Sequence, residues 1–124
     1  MLYYYAEPPS IIRSNFVLIN YSYFCSLSSY DNAAPGWLKW WKTIETATEK
    51  VNKRLVELAQ IKQVSKVLDI ATGLGEPSLT AAKQVGKTGN ALAIDISSQM
   101  LSFAKQRAII SGLHDIVEFK EGDA

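Results

Sequence analysis

The sequence predicts an α/β fold, the opening half of a doubly wound parallel sheet, and three observations carry that prediction. Short apolar runs alternate with helical segments, a glycine loop spans Asp69–Gly75 directly after the first of these runs, and Asp95 and Asp123 stand at the ends of the next two. Strands separated by helices pair in parallel through right-handed crossovers. Parallel strands are buried on both faces, which accounts for runs that are nearly continuous in apolar residues. The 124 residues, 48% hydrophobic and 20% charged, suit one domain with a core and exclude wholesale disorder.

Taken in order, residues 1–29 are an extension without clear periodicity. They hold Pro8-Pro9, a Ser-rich end and all but one of the tyrosines, and weak order or a need for a packing partner is expected there. The run Phe16–Phe24 is interrupted by Asn20 and Ser22 and lacks a small-x-small end, so it does not read as a secretory signal, and it is too short to span a bilayer. Residues 30–62 form a lead-in. Pro35-Gly36 marks a turn, and from Trp37 to Gln60 the apolar positions Trp37, Trp40, Trp41, Ile44, Val51, Leu55 and Leu58 recur at helical spacing. That spacing predicts an amphipathic helix, with at least two of the tryptophans packed inward.

Residues 63–124 read strand–helix–strand–helix–strand. Lys66–Ile70 is the first strand, and Pro77–Val85 the first helix, with Pro77 tolerated where no intrahelical bond needs its missing N–H. Gly86, Gly89 and Asn90 break the chain before a second strand at Ala91–Ile96. Ser97 or Ser98 caps a helix that runs to about Ile110 with Met100, Leu101, Ala104 and Ala108 inward. Gly112 stops it, and Ile116–Phe119 is the third strand, followed by Glu121-Gly122-Asp123-Ala124.

In open α/β sheets ligands bind beyond the carboxyl ends of the strands, which is where the loop Ala71-Thr72-Gly73-Leu74-Gly75 falls. Gly73 and Gly75 allow a tight turn and a close backbone approach to a ligand. Asp95, twenty-two residues past Gly73, can accept hydrogen bonds from both ribose hydroxyls of an adenosine cofactor. A dinucleotide fingerprint would read Gly-x-Gly-x-x-Gly, but its third glycine falls on Glu76 from Ala71, or on Ser78 from Gly73. Glu76 would also repel a pyrophosphate at the helix N-terminus. With Asp69, Glu76, Asp95 and Asp123 near the strand ends, the crevice is expected to be negative. That suits S-adenosylmethionine, a cofactor without phosphate that carries a sulfonium and an ammonium. An NAD-dependent oxidoreductase is the competing enzyme reading.

Val67–Ala82, Ala91–Ala108 and Ile116–Ala124 resemble the first three motifs of class I methyltransferases, a Rossmann-like fold, and in particular the type 11 group that includes ubiquinone and menaquinone C-methyltransferases. Tyr30–Trp37 and the helix after it resemble that group's lead-in. The resemblance implies that Asp69, Ala71 and Gly73 contact the methionine portion of the cofactor, with Thr72 and Gly75 completing the loop. It implies that Asp95 holds the ribose, that Ile96 and Met100 flank the adenine, that Gly122, Asp123 and Ala124 meet the adenine edge, and that Tyr30 reaches the cofactor from the lead-in. Ala71 stands where many members have a glycine, a small change that should still permit backbone approach. The resemblance also implies a longer sheet, of which the sequence contains three strands. Its next strand would pair with Lys66–Ile70, so that strand is expected to be a bare edge, open to self-association or to pairing with another chain. A split or non-catalytic module is the alternative from another class.

The remaining residues add exclusions. A net charge of +1 with no basic run predicts no nucleic-acid partner, and the resemblance implies a small-molecule acceptor, whose identity the residues leave open. Cys25 is the sole cysteine, so no internal disulfide forms, no metal site is expected, and a reducing cytoplasm is the default. His114 falls in a turn at the amino end of the third strand, opposite the ligand end, and reads as a surface histidine. No catalytic side chain can be assigned.

Overall fold

The computed structural model describes residues 2–5 and 27–123, with side chains described from residue 32 onward. The element order is β1 (Leu2–Tyr5), α1 (Leu27–Leu58), β2 (Lys66–Ile70), α2 (Ser78–Val85), β3 (Asn90–Asp95), α3 (Ser98–Ile110) and β4 (Val117–Glu121). Phe16–Phe24, Cys25 and Ala124 lie outside the described residues.

The sheet runs β1-β2-β3-β4. As expected, β2, β3 and β4 pair in parallel, with Ile70 opposite Ile94 and Asp95 opposite Glu121. Their carboxyl ends therefore lie together. The edge of β2 that the sequence leaves bare is occupied: β1 pairs with it antiparallel, Leu2 opposite Asp69 and Tyr5 opposite Lys66. Extended backbone in this tyrosine-rich segment satisfies an edge that would otherwise present open N–H and C=O groups. The extension thus contributes a strand, which its lack of periodicity concealed, since four residues are too few to show one.

Burial alternates along the strands. Val67, Ala91, Ala93 and Val117 are buried, while Leu68, Ile70, Leu92 and Ile94 on the other face are half-buried. The covered face packs on α2 and α3, where Leu79, Ala81, Ala82, Val85 and Ala108 join the same core. The α3 stripe is the predicted one, Met100, Leu101, Ala104 and Ala108, and Ser97 caps the helix by accepting from the Met100 N–H at 3.2 Å.

Helix α1 packs on α2 and α3, but it departs from expectation twice. It begins at Leu27, ten residues earlier than the periodicity indicates, and Pro35 lies inside it. A proline in a helix interior costs about 3 kcal/mol, and packing of an inward face offsets such a cost. Ala34, wholly buried beside Pro35, shows that this turn is packed. The buried stripe is also rotated from the apolar one. It runs through Ala34, Trp41, Glu45, Thr48, Asn52 and Val56, leaving Trp37 and Trp40 46% and 58% exposed. Only Trp41 among the tryptophans is half-buried. Among the described residues no helix is long and apolar enough to cross a membrane.

Candidate functional site

The site begins at Asp69 in β2. Its side chain is wholly buried, and its Oδ2 accepts from the Thr72 hydroxyl at 2.7 Å, the Ser78 hydroxyl at 2.6 Å and the Ser78 N–H at 3.1 Å. Burial pushes the carboxyl above its ordinary pKa, against the pull of the bonds from Ser78 and Thr72. Asp69 therefore caps the first turn of α2 from the neighbouring strand and ties the loop to it. Thr72, also buried, donates its N–H to the Ile94 carbonyl at 3.0 Å. The family resemblance implies ligand contact for both, yet the side chains of Asp69 and Thr72 turn into the protein, where they set the loop's shape.

The loop then reaches the end of β3. The Gly73 N–H donates to Asp95 Oδ2 at 2.7 Å, and Asp95 Oδ1 accepts the Ser97 N–H at 2.9 Å. An ionised carboxylate offers about four acceptor positions, so these two bonds leave capacity for further donors. The Gly122 N–H donates to the Asp95 carbonyl at 3.0 Å, which brings the turn after β4 to the same place. Asp123 beside it is exposed, Ile96 is half-buried, and Met100 is buried in the first turn of α3. Gly73, Asp95, Ile96, Met100 and Gly122 thus meet at one end of the sheet. Tyr30 belongs to the first turn of α1, and its side chain is outside the described residues. His114, exposed and 3.6 Å from Asp115, sits before β4 at the opposite end.

The two loop glycines have different reasons to be glycine. A Cβ on Gly73, at φ +56°, would meet nothing within 4 Å, so the backbone borders open space. A Cβ on Gly75, at φ +96°, would meet Leu79 Cδ1 at 3.2 Å and Ala104 Cβ at 3.3 Å, so Gly75 serves the packing of α2 on α3. Ala71 also lies at positive φ, +62°. The substitution read from sequence as minor thus holds an alanine where glycine is unstrained, at a cost of about 1–2 kcal/mol. Ala71→Gly recovers that strain less roughly 0.5–1 kcal/mol of unfolded-chain entropy, so thermal denaturation should show a midpoint higher by a few degrees. A lowered midpoint would contradict this account of the loop.

The expected negative crevice is narrower than the sequence suggests. Asp69 is buried in the loop, and Glu76 is neutralised locally. Glu76 Oε2 accepts from the Thr80 N–H at 3.3 Å and the Thr80 hydroxyl at 2.7 Å, while Oε1 lies 3.4 Å from Arg107 Nη2. The other carboxylates at this end of the sheet are Asp95, Glu121 and Asp123. The N-terminus of α2 is nonetheless closed to a phosphate, because Asp69 and Glu76 take the Ser78 and Thr80 N–H groups that would bind it.

Arg107 and Glu45 were missed in the sequence. Arg107 Nη1 donates to the Leu74 carbonyl, Nη2 pairs with Glu45 of α1, and the guanidinium lies 4.8 Å from the centre of the Trp41 ring. The signal was present: Arg107 continues the inward stripe of α3, three residues past Ala104, and a buried cation requires partners.

Comparison with known proteins agrees with this geometry. Residues 61–124, just over half of the chain, match a family described as a methyltransferase domain. A ubiquinone/menaquinone biosynthesis C-methyltransferase of Azotobacter vinelandii is 35% identical over 69 residues, covering 56% of this chain and 27% of that protein. The chain thus spans less than a third of the length of the curated relatives it matches. An RNA methyltransferase from Salinibacter ruber, solved with S-adenosyl-L-homocysteine, is 31% identical with a TM-score of 0.55, covering 60% of this chain and 47% of that one. A SAM-dependent methyltransferase from Aquifex aeolicus shares the fold at 23% identity and a TM-score of 0.55, covering 81% of this chain and 48% of that one.

Proposed function

The chain belongs to the methyltransferase-domain family, of the class I type that uses S-adenosylmethionine, and we propose that residues 63–124 form the cofactor-binding part of an enzyme that methylates a small molecule, with residues 30–62 as its lead-in. One observation carries the reading: the Gly73 N–H and the Asp95 carboxylate, from loops after two different strands, meet at 2.7 Å. That contact supports a single crevice at the carboxyl strand ends, the position ligands take in open α/β sheets.

The residues fit an S-adenosyl nucleoside. Open space beside Gly73 accommodates a ligand against bare backbone, and Asp95 has acceptor capacity for vicinal hydroxyls. The closed N-terminus of α2 argues against a pyrophosphate, hence against the NAD-dependent reading. When bound, the cofactor supplies the electrophilic methyl group. The protein's share is to hold the donor in line with an acceptor, and positioning of that kind accounts for most of the rate in such displacements. Asp95 would anchor one end of the donor and the 71–75 loop would border the other. The absence of a run of basic residues supports a small-molecule acceptor over a polyanion.

Calorimetric titration with S-adenosylhomocysteine, beside NADH, tests the assignment. Binding of the homocysteine compound and silence toward NADH are expected; the reverse would overturn it.

A further inference from the structure

The loop turns through three residues at positive φ, of which Gly73 and Gly75 are unstrained and Ala71 is strained, and a strained residue persists only when its surroundings over-determine it. Most of the bonds that hold it come from the sheet and from the loop itself: Thr72 to Ile94, Gly73 to Asp95, and the Gly75 N–H to the Thr72 carbonyl. The Leu74 carbonyl, between the two glycines, is instead held by Arg107 from α3.

Arg107 does not act alone. Its side chain is 11% exposed, and a guanidinium so largely withdrawn from water gains from compensating carboxylates. The one with which it makes the closer contact, Glu45, lies 62 residues away in sequence on α1, and Trp41 one turn earlier stacks on the same guanidinium. Only a planar fork of five donors can satisfy a carbonyl and two carboxylates while offering a face to an aromatic ring. Arg107 therefore joins the lead-in helix to the glycine loop through one side chain.

We propose that Arg107 is a positioning residue through which α1, by way of Glu45 and Trp41, sets how tightly the glycine loop takes its cofactor; this rests on the reading of that loop as the S-adenosylmethionine site. With Glu45 in place, Nη2 is held toward α1 and Nη1 points at Leu74. Without it, Glu76 at 3.4 Å becomes the nearer carboxylate and draws the guanidinium from the carbonyl. The loop then loses its outer tether, and the Gly73 backbone is less well placed beside Asp95.

The test is a double-mutant cycle in the full chain, read as S-adenosylhomocysteine affinity by calorimetry, with circular dichroism and thermal melts confirming the folded state. Glu45 is 41% exposed and touches neither the loop nor the crevice, so Glu45→Gln should fold. It is expected to weaken binding about fivefold or more, the lower range of coupling between distinct sites. Arg107→Lys should weaken it further, and the double variant should be no weaker than Arg107→Lys alone, because the second change removes a path already cut. Normal binding by the unsubstituted chain with unchanged affinity in Glu45→Gln, or fully additive losses in the double variant, would overturn the proposal while leaving the site reading intact. Failure of the unsubstituted chain to bind would overturn both.

Discussion

Asp95→Ala is expected to weaken S-adenosylhomocysteine binding about a hundredfold, since hydrogen bonds to a charged group are worth about 1.5–3 kcal/mol each and the proposed site uses at least one of them fully desolvated. Asp95 as a residue is 7% exposed, which limits the water that competes for its side chain. It also organises the crevice before any ligand arrives, holding the Gly73 N–H through one oxygen and the Ser97 N–H through the other. Alanine therefore removes both the anchor and the pre-organisation of the loop. Asp95→Asn separates the two contributions: it keeps one acceptor oxygen but presents an NH₂ where the other stood, so an intermediate loss is expected. Titration of both variants, checked for native circular dichroism, gives the result. Affinity within twofold of the original in the alanine variant would remove Asp95 from the site.

The parts of the molecule legible in sequence are those governed by local punctuation and period. Lys66–Ile70 emerges with the observed bounds because it is an apolar run closed by a glycine loop, and the sequence narrows the next cap to Ser97 or Ser98, of which the structure uses Ser97. The meeting of Gly73 and Asp95 is also legible, since parallel strands must deliver their carboxyl ends to one side. What was illegible depends on tertiary partners. Trp37 and Trp40 read as inward from hydrophobicity, yet the inward face of α1 carries Glu45 because it must meet Arg107, and no local rule reveals that demand. Pro35-Gly36 reads as a turn ahead of the helix, whereas the helix runs through it with Ala34 packed beside it. Glu76 reads as a charge facing the ligand, but Thr80 and Arg107 had already claimed it. The edge-covering β1 is a non-local pairing across more than sixty residues, and its four residues carry no period.

Gly89→Ala should be the most destabilising glycine-to-alanine change among the described residues, although Gly89 lies at the opposite end of the strands from Gly73 and its φ is outside the left-handed region. An added Cβ would stand 2.7 Å from the Ser65 carbonyl oxygen and 2.8 Å from Val85 Cβ, distances that real Cβ atoms do not show. Neither neighbour can yield. Val85 is wholly buried at the end of α2, and the Ser65 carbonyl accepts the Asn90 N–H at 3.2 Å, a bond at the start of the β2–β3 ladder. Overpacking of this kind costs typically 1–3 kcal/mol, and the backbone partner puts Gly89 at the upper end, about 3 kcal/mol. A domain of this size has only about 5–15 kcal/mol in hand, so the midpoint of thermal denaturation should fall on the order of 10 °C. Gly73→Ala is the matched control: it adds the same methyl into open space at φ +56°, so its cost is confined to backbone strain of about 1–2 kcal/mol. The two variants should also part in binding. Gly89→Ala shifts the start of the two strands whose far ends hold Gly73 and Asp95, so it lowers the folded fraction while the folded molecules keep their affinity. Gly73→Ala stays folded and loses affinity, because its methyl fills the space a ligand would need. Equal melting midpoints for the two, or a larger fall for Gly73→Ala, would show that the junction beside Ser65 relaxes more readily than its contacts allow.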